Sequence, residues 1–185
     1  MYLDQILCRD GNTEIRLTGA DGSPKKLWNE NALGRSLRRA GLEVRIPFLT
    51  GTHDLVLKNN NLITNVGHAA ANARLSGQGS YSTFVNLAIG TGTTAAAAAD
   101  TALQTEITTL GGARGAATAS QVTTTVANDT TQLVKTWTFT GAFAVTEEGI
   151  LDQAVSGGNL LAHQVFAAIN VASGDSLTVT HRYSS

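Results

Sequence analysis

Period-two alternation of apolar and polar residues dominates the last two thirds of the chain. In Leu133-Val-Lys-Thr-Trp-Thr-Phe-Thr140, Trp137 and Phe139 fall on one side of an extended segment, and Val134, Thr136, Thr138 and Thr140 on the other. Leu177, Val179, His181 and Tyr183 alternate in the same way with Ser176, Thr178, Thr180 and Arg182. With the runs 84–89, 121–126 and 160–168, these segments predict half-buried antiparallel strands. Gly157-Gly-Asn159 and Ser173-Gly-Asp175 have the composition of hairpin connections between consecutive strands. The expected fold is mainly β: an antiparallel β-sandwich or jelly-roll-like domain over residues 61–185.

Helical spacing appears in two places. After Thr64 or Asn65, either of which suits an N-cap, Val66, Ala69, Ala70 and Ala73 share one face up to Leu75, and Gly77 follows. Side chains this small predict close packing on a sheet. In Asn31 to Gly41, Leu33, Leu37 and Ala40 share a face, Arg35, Arg38 and Arg39 lie elsewhere, and Gly41 suits the C-terminal cap. A further short Ala-rich helix is expected after Gly92, ending near Asp100. Residues 109–120 are Gly, Ala and Thr with one Leu, one Arg and one Ser, which predicts a loop or flexible connection that meets a neighbouring subunit or stays mobile.

Residues 1–60 have little periodicity. Short extended pieces at 5–9 and 14–18 flank Asp10-Gly-Asn12, whose Asp-Gly step predicts a small hairpin, and 19–24 is turn-like. Val44-Arg-Ile-Pro-Phe-Leu49 reads as an edge or unpaired segment, because Pro47 lacks an N–H. These features predict an extended N-terminal arm with one short helix that docks on a partner. Its expected apolar anchors are Trp28, Leu33, Leu37 and Phe48, and Arg35, Arg38, Arg39 and Arg45 are expected to set register by pairing with an acidic groove on a protein.

Composition narrows the function classes. The chain has 185 residues, enough for one core with appendages, and only 15% are charged, against about 25% in an average soluble domain. A net charge of -1 supplies no field that would draw in nucleic acid or an anionic membrane, so neither partner is expected. No apolar run approaches a bilayer span, and the first residues lack the pattern of a signal peptide, which predicts assembly in a cytosol. The single cysteine, Cys8, rules out an intrachain disulfide.

Candidate chemistry is sparse. Gly90-Thr-Gly-Thr-Thr-Ala95 matches a dinucleotide fingerprint, but no strand ending in an acid follows it and no Lys completes a P-loop, so a strand-end turn is expected. Cys8, His53, His68, His163 and His181 show neither metal-ligand spacing nor a nucleophile-base pattern. Glu147 and Glu148 are adjacent, so in a strand they would face opposite sides; a turn is the simpler expectation. No catalytic, cofactor-binding or metal residue is expected, and the protein reads as non-enzymatic.

Three segments carry a resemblance when taken in order. They are Asn61-Leu-Ile-Thr-Asn-Val-Gly67 with its Ala-rich continuation, Leu87-Ala-Ile-Gly-Thr-Gly-Thr-Thr94 with Asp100 to Ile107, and Phe139 to Asp152 with Gly157 to Phe166 and Leu177 to Thr180. Over residues 60–185 the chain resembles a family of small structural proteins of tailed bacteriophage virions. Glu148-Gly-Ile-Leu151 replaces that family's acid followed by a Gly-Leu-Phe-like step. The resemblance implies assembly into a virion without catalysis. A capsid decoration (cement) protein, a homo-oligomer bound to the major capsid protein or other virion proteins, is the leading expectation. A tail or baseplate component and a carbohydrate-binding receptor module are the alternatives.

Overall fold

The computed structural model describes residues 9–184; of the extended piece expected at 5–9, residues 5–8, Cys8 included, lie outside the described residues. The elements are, in order, β1 (Arg9–Thr18), β2 (Pro24–Lys25), β3 (Leu27–Glu30), α1 (Ala32–Arg39), β4 (Gly51–Asp54), β5 (Leu57–Asn60), β6 (Leu62–Ile63), α2 (Asn65–Ser76), β7 (Asn86–Gly90), β8 (Gly115–Ala116), β9 (Thr118–Val122), β10 (Thr130–Thr138), β11 (Phe143–Leu151), β12 (Leu160–Val171) and β13 (Ser176–Ser184). The fold is mainly β with antiparallel strand pairing. A six-stranded sheet has the order β2-β1-β13-β10-β9, with β5 also paired to β1; a five-stranded sheet has the order β6-β12-β11-β7-β8; β3 and β4 form a separate ribbon.

Alternation decides which side chains meet. On β13, Leu177, Val179, His181 and Tyr183 are buried, while the residues between them remain partly exposed. Trp137 of β10 stands opposite Leu177, and on the other face Thr136 and Thr178 hydroxyls meet at 2.8 Å. One apolar core unites the two larger sheets: Ile15, Leu133, Trp137, Leu177 and Val179 come from the first, and Leu87, Ile89, Ile150, Phe166 and Ile169 from the second. The helix α2 is capped by Thr64 and ends at Gly77 in the left-handed conformation. Gly67 lets it approach β12, since a Cβ there would collide with the Leu161 carbonyl. Its inward residues are Gly67 and Ala70, while Ala69 is exposed.

Several expectations are corrected. Residues 9–60 are not an extended arm standing apart from the fold: β1 lies between β13 and the β2/β5 edge, and Ile15, Leu17, Leu27 and Leu57 enter the shared core. The Asp10-Gly11 step does not turn a hairpin, because β1 continues through it along β13 with a register irregularity between Arg9 and Asn12. Residues 173–175 join β12 to β13 across two sheets, so of the two expected hairpin turns only 157–159 connects paired strands. The Ala-rich stretch after Gly92 is irregular. Within residues 109–120 the stretch 109–114 is loop, as expected, but 115–116 form β8 and 118–120 begin β9, and Arg114 anchors them through Glu106 and the carbonyls of Val155 and Gly157 at 2.6 and 2.8 Å. One internally paired Arg here does the work that apolar side chains do elsewhere.

Trp137 is buried with its Nε1 donating to the Ala113 carbonyl at 2.8 Å, and Thr138 points outward. Trp137→Ala is therefore expected to cost about 3–5 kcal/mol and Thr138→Ala under about 1 kcal/mol, measured by chemical denaturation. Equal losses would contradict the facing of β10.

Candidate functional site

Two consecutive acids in an otherwise apolar strand create the first site feature. Glu147 and Glu148 lie in β11, both fully buried, rather than in a turn. The strand sends them to opposite faces, as alternation requires. Glu147 accepts from the backbone N–H groups of Gly92 at 2.9 Å, Gln104 at 2.9 Å and Thr105 at 2.7 Å. His163 of β12 approaches it with Nε2 at 3.0 Å, and the opposite ring nitrogen, Nδ1, lies 2.7 Å from Asp100. Gly90 and Gly92 leave space for this carboxylate, since a Cβ at either position would collide with it. The glycines of the false dinucleotide fingerprint thus cradle an anion after all, one supplied by the chain itself.

Both nitrogens of His163 face carboxylate oxygens, and the ring can donate to both only as the imidazolium, the form this arrangement favours. Burial works to lower the His163 pKa, but the carboxylates of Glu147 and Asp100 outweigh it and raise the value. Burial likewise works to raise Glu147, but His163 and the three backbone donors hold it below the usual carboxylate range. With both nitrogens engaged, His163 has no lone pair to take up a proton. The cluster fastens residues 91–105 to the sheet. Among the described residues, no group of three or more His, Cys, Asp or Glu is placed to hold a metal ion.

On the other face of β11, Glu148 lies 3.1 Å from His181 Nε2. Its Oε2, the Nδ1 of His181 and both amide atoms of Gln164 are buried without a hydrogen-bond partner. Gln164 stands opposite Glu148 in the β11/β12 register.

The second feature is a surface. The helix α1 is capped by Asn31, whose side chain accepts from Gly34 N at 3.0 Å and donates to the Leu49 carbonyl at 2.8 Å. Thr50 is buried beneath the loop that follows; its hydroxyl accepts from Ile46 N and donates to the Val44 carbonyl, both at 2.8 Å. Gly34 permits this packing, because a Cβ there would strike the Thr50 carbonyl. The loop is thus held by its backbone while Leu42, Val44, Ile46, Phe48 and Leu49 point into solvent, with Leu33 of α1 also exposed. Phe48 is 90% exposed and has a φ of 67°, a left-handed conformation unfavourable for a bulky residue.

Beside this loop, α1 borders a cavity of about 800 Å³. Arg35, Arg38, Arg39, Lys58 and Arg182 line it together with Gln164. Arg38 bonds Glu30 at 2.9 Å and the Val165 carbonyl at 3.1 Å, tying α1 to β12. Arg35 donates to the Glu30 carbonyl at 2.6 Å. Lys58 and Arg182 each lie 3.4 Å from Glu14.

Of the expected partner-binding residues, the structure brings Arg35, Arg38 and Arg39 together on the cavity wall, and leaves Leu33, Arg45 and Phe48 exposed. Leu37 is half-buried. Trp28 is corrected: the β3–β4 pairing buries its indole against Gly51 and His53, whose ring centroid is 5.0 Å away, so it is not presented to a partner. Glu147, His163, Lys58, Gln164 and Arg182 escape sequence reasoning. The available signal for the first two is a pair of acids within Val145 to Leu151, with a His in another apolar strand.

The shifts of His163 and Glu147 set a pH window. The raised His163 contributes stability in full below its ordinary value of about 6.5 and loses it as pH rises through the higher folded value. The lowered Glu147 contributes above its ordinary value of about 4.3 and loses it as pH falls through the lower folded value. His163→Gln is expected to destabilise by about 3 kcal/mol near pH 5.5, as breaking a buried pair does. The gap from wild type should narrow above neutral pH in thermal melts; a gap constant from pH 5 to 9 would contradict the ionised network.

Comparison with known proteins returns no matching family model, no matching curated protein and no matching solved structure. What this face does is accordingly read from its own geometry.

Proposed function

We propose that the chain is a non-enzymatic structural protein of a tailed bacteriophage virion, a capsid decoration (cement) protein that docks on the major capsid protein through α1 and residues 42–49. In this reading the two large sheets form a β-sandwich or jelly-roll-like body, the protein acts as a small homo-oligomer, and it joins the virion in the host cytoplasm. The observation that carries the reading is the apolar loop. Five apolar side chains are exposed on a backbone fastened by Asn31 and Thr50, and the most exposed, Phe48, sits in a strained conformation. A flexible loop would collapse these groups onto the body. A held loop presents them, and prior ordering lowers the entropy lost on association. The sparsely charged composition and the ordered resemblance of residues 60–185 to phage structural proteins support the same reading.

Phe48→Gly separates docking from folding. Glycine relieves the left-handed strain, and little burial is lost, so stability is expected to stay equal or rise by about 1 kcal/mol. Incorporation into particles, measured by quantitative gel analysis of purified virions complemented with each variant, is expected to fall at least about tenfold. Full incorporation of the variant would overturn the loop's role. Cryo-electron microscopy of the wild-type particle should place copies over the head lattice; density confined to the tail would overturn the capsid assignment.

A further inference from the structure

Charge is concentrated at one place in a chain whose net charge is -1. Among the described residues, five Lys/Arg line the cavity beside α1, against one acid, Glu14. Glu30 offsets Arg38, and Glu14 is shared between Lys58 and Arg182, so positive charge remains in excess there. Arg39 is exposed and forms no ion pair or hydrogen bond with the described residues.

Gln164 is a second and independent observation. It lines the same cavity, is only 3% exposed, and neither its amide oxygen nor its amide nitrogen has a partner. Leaving both atoms unpaired costs stability, and an apolar residue would fit the strand without that cost. A side chain that can both donate and accept, at the buried wall of a cationic cavity, suits a ligand with the same two capabilities.

We infer that this cavity receives an acidic peptide segment from the partner protein, whose carboxylates meet Arg39, Lys58 and Arg182 and whose main chain or leading carboxylate bonds the Gln164 amide. A peptide backbone offers N–H and C=O together, as Gln164 requires. The volume lies within the range of ligand pockets, and the wall contributes Leu62 and Val165 as apolar contacts. Bases of single-stranded nucleic acid would want aromatic platforms, and among the described residues the lining holds no Trp, Tyr or Phe. The cavity adjoins the apolar loop, because α1 lines it through Arg35, Arg38 and Arg39 and leads directly into residues 42–49. The inference rests on the docking reading and reverses one expectation in it: the arginines wall a receptor for the partner's acids instead of entering a groove on the partner.

The test is isothermal titration of the full-length protein with a synthetic octapeptide alternating Glu or Asp with Leu, with its Gln/Asn counterpart and an octanucleotide as controls. The acidic peptide is expected to bind, the neutral one to bind at least about tenfold more weakly, and binding to weaken with added salt. Arg39→Glu should weaken binding about tenfold without lowering the melting temperature. Gln164→Leu should weaken it while leaving the melting temperature equal or higher. Absence of peptide binding, binding indifferent to both variants, or tighter binding of the octanucleotide would overturn the inference. Each of these would leave the Phe48→Gly incorporation result standing, so failure here is distinct from failure of the docking reading.

Discussion

An ionised carboxylate removed from water must have its charge answered within the protein, and Glu147 is fully buried. Three backbone N–H groups and one imidazolium answer it. Much of the five-stranded sheet's surroundings follows from that demand. Residues 91–105 cannot be helical along their length, because Gly92, Gln104 and Thr105 direct their amides at one point. Gly90 and Gly92 must lack side chains, since a Cβ at either would occupy the carboxylate's space. His163 must be charged, and Asp100, reached by its second nitrogen, secures the far end of the loop. The Gln104 side chain braces the same loop by bonding both the N–H and the carbonyl of Thr94.

The strand that carries His163 also reaches the cavity and α1. His163, Gln164 and Val165 are consecutive in β12, and each has a different duty. His163 fixes the loop, Gln164 offers an unpaired amide to the cavity, and the Val165 carbonyl accepts from Arg38. The face made by α1 and the apolar loop is thus joined to β12, the strand that carries His163. Arg38 carries α1 on β12, Gly34 brings Thr50 beneath the helix, and Thr50 holds the loop that presents Phe48. Such a chain of contacts makes an exposed apolar loop a preformed surface.

Elements with a local cause were legible in the sequence. Alternation placed Trp137 and Leu177 inward on neighbouring strands, and Gly41 after α1, with Thr64 before α2 and Gly77 after it, marked helix ends. Elements whose cause lies far along the chain were not. β1 reads as weak pieces, but its partner β13 lies more than 150 residues away and supplies the ladder that carries it through Asp10-Gly11. β11 reads as a turn because two acids interrupt it; the three backbone N–H groups and His163 that answer Glu147, and the His181 that lies beside Glu148, come from other segments. Among site residues, the arginines of α1 follow from helical spacing. Lys58, Gln164 and Arg182 join them only through the folding of three separate strands, and nothing local marks Trp28 as buried beneath Gly51.

The central claim, that a buried ionised Glu147 organises this part of the molecule, is open to direct observation by carbon-13 NMR of the glutamate side-chain carboxyls during an acid titration, with Glu147→Gln used for assignment. The account predicts that the Glu147 resonance stays at its ionised position below the ordinary midpoint of about 4.3, and that the amide protons of Gly92, Gln104 and Thr105 shift together when it finally titrates. A Glu147 carboxyl that titrates at or above the ordinary value, or those three amides remaining unmoved when it does, would contradict it.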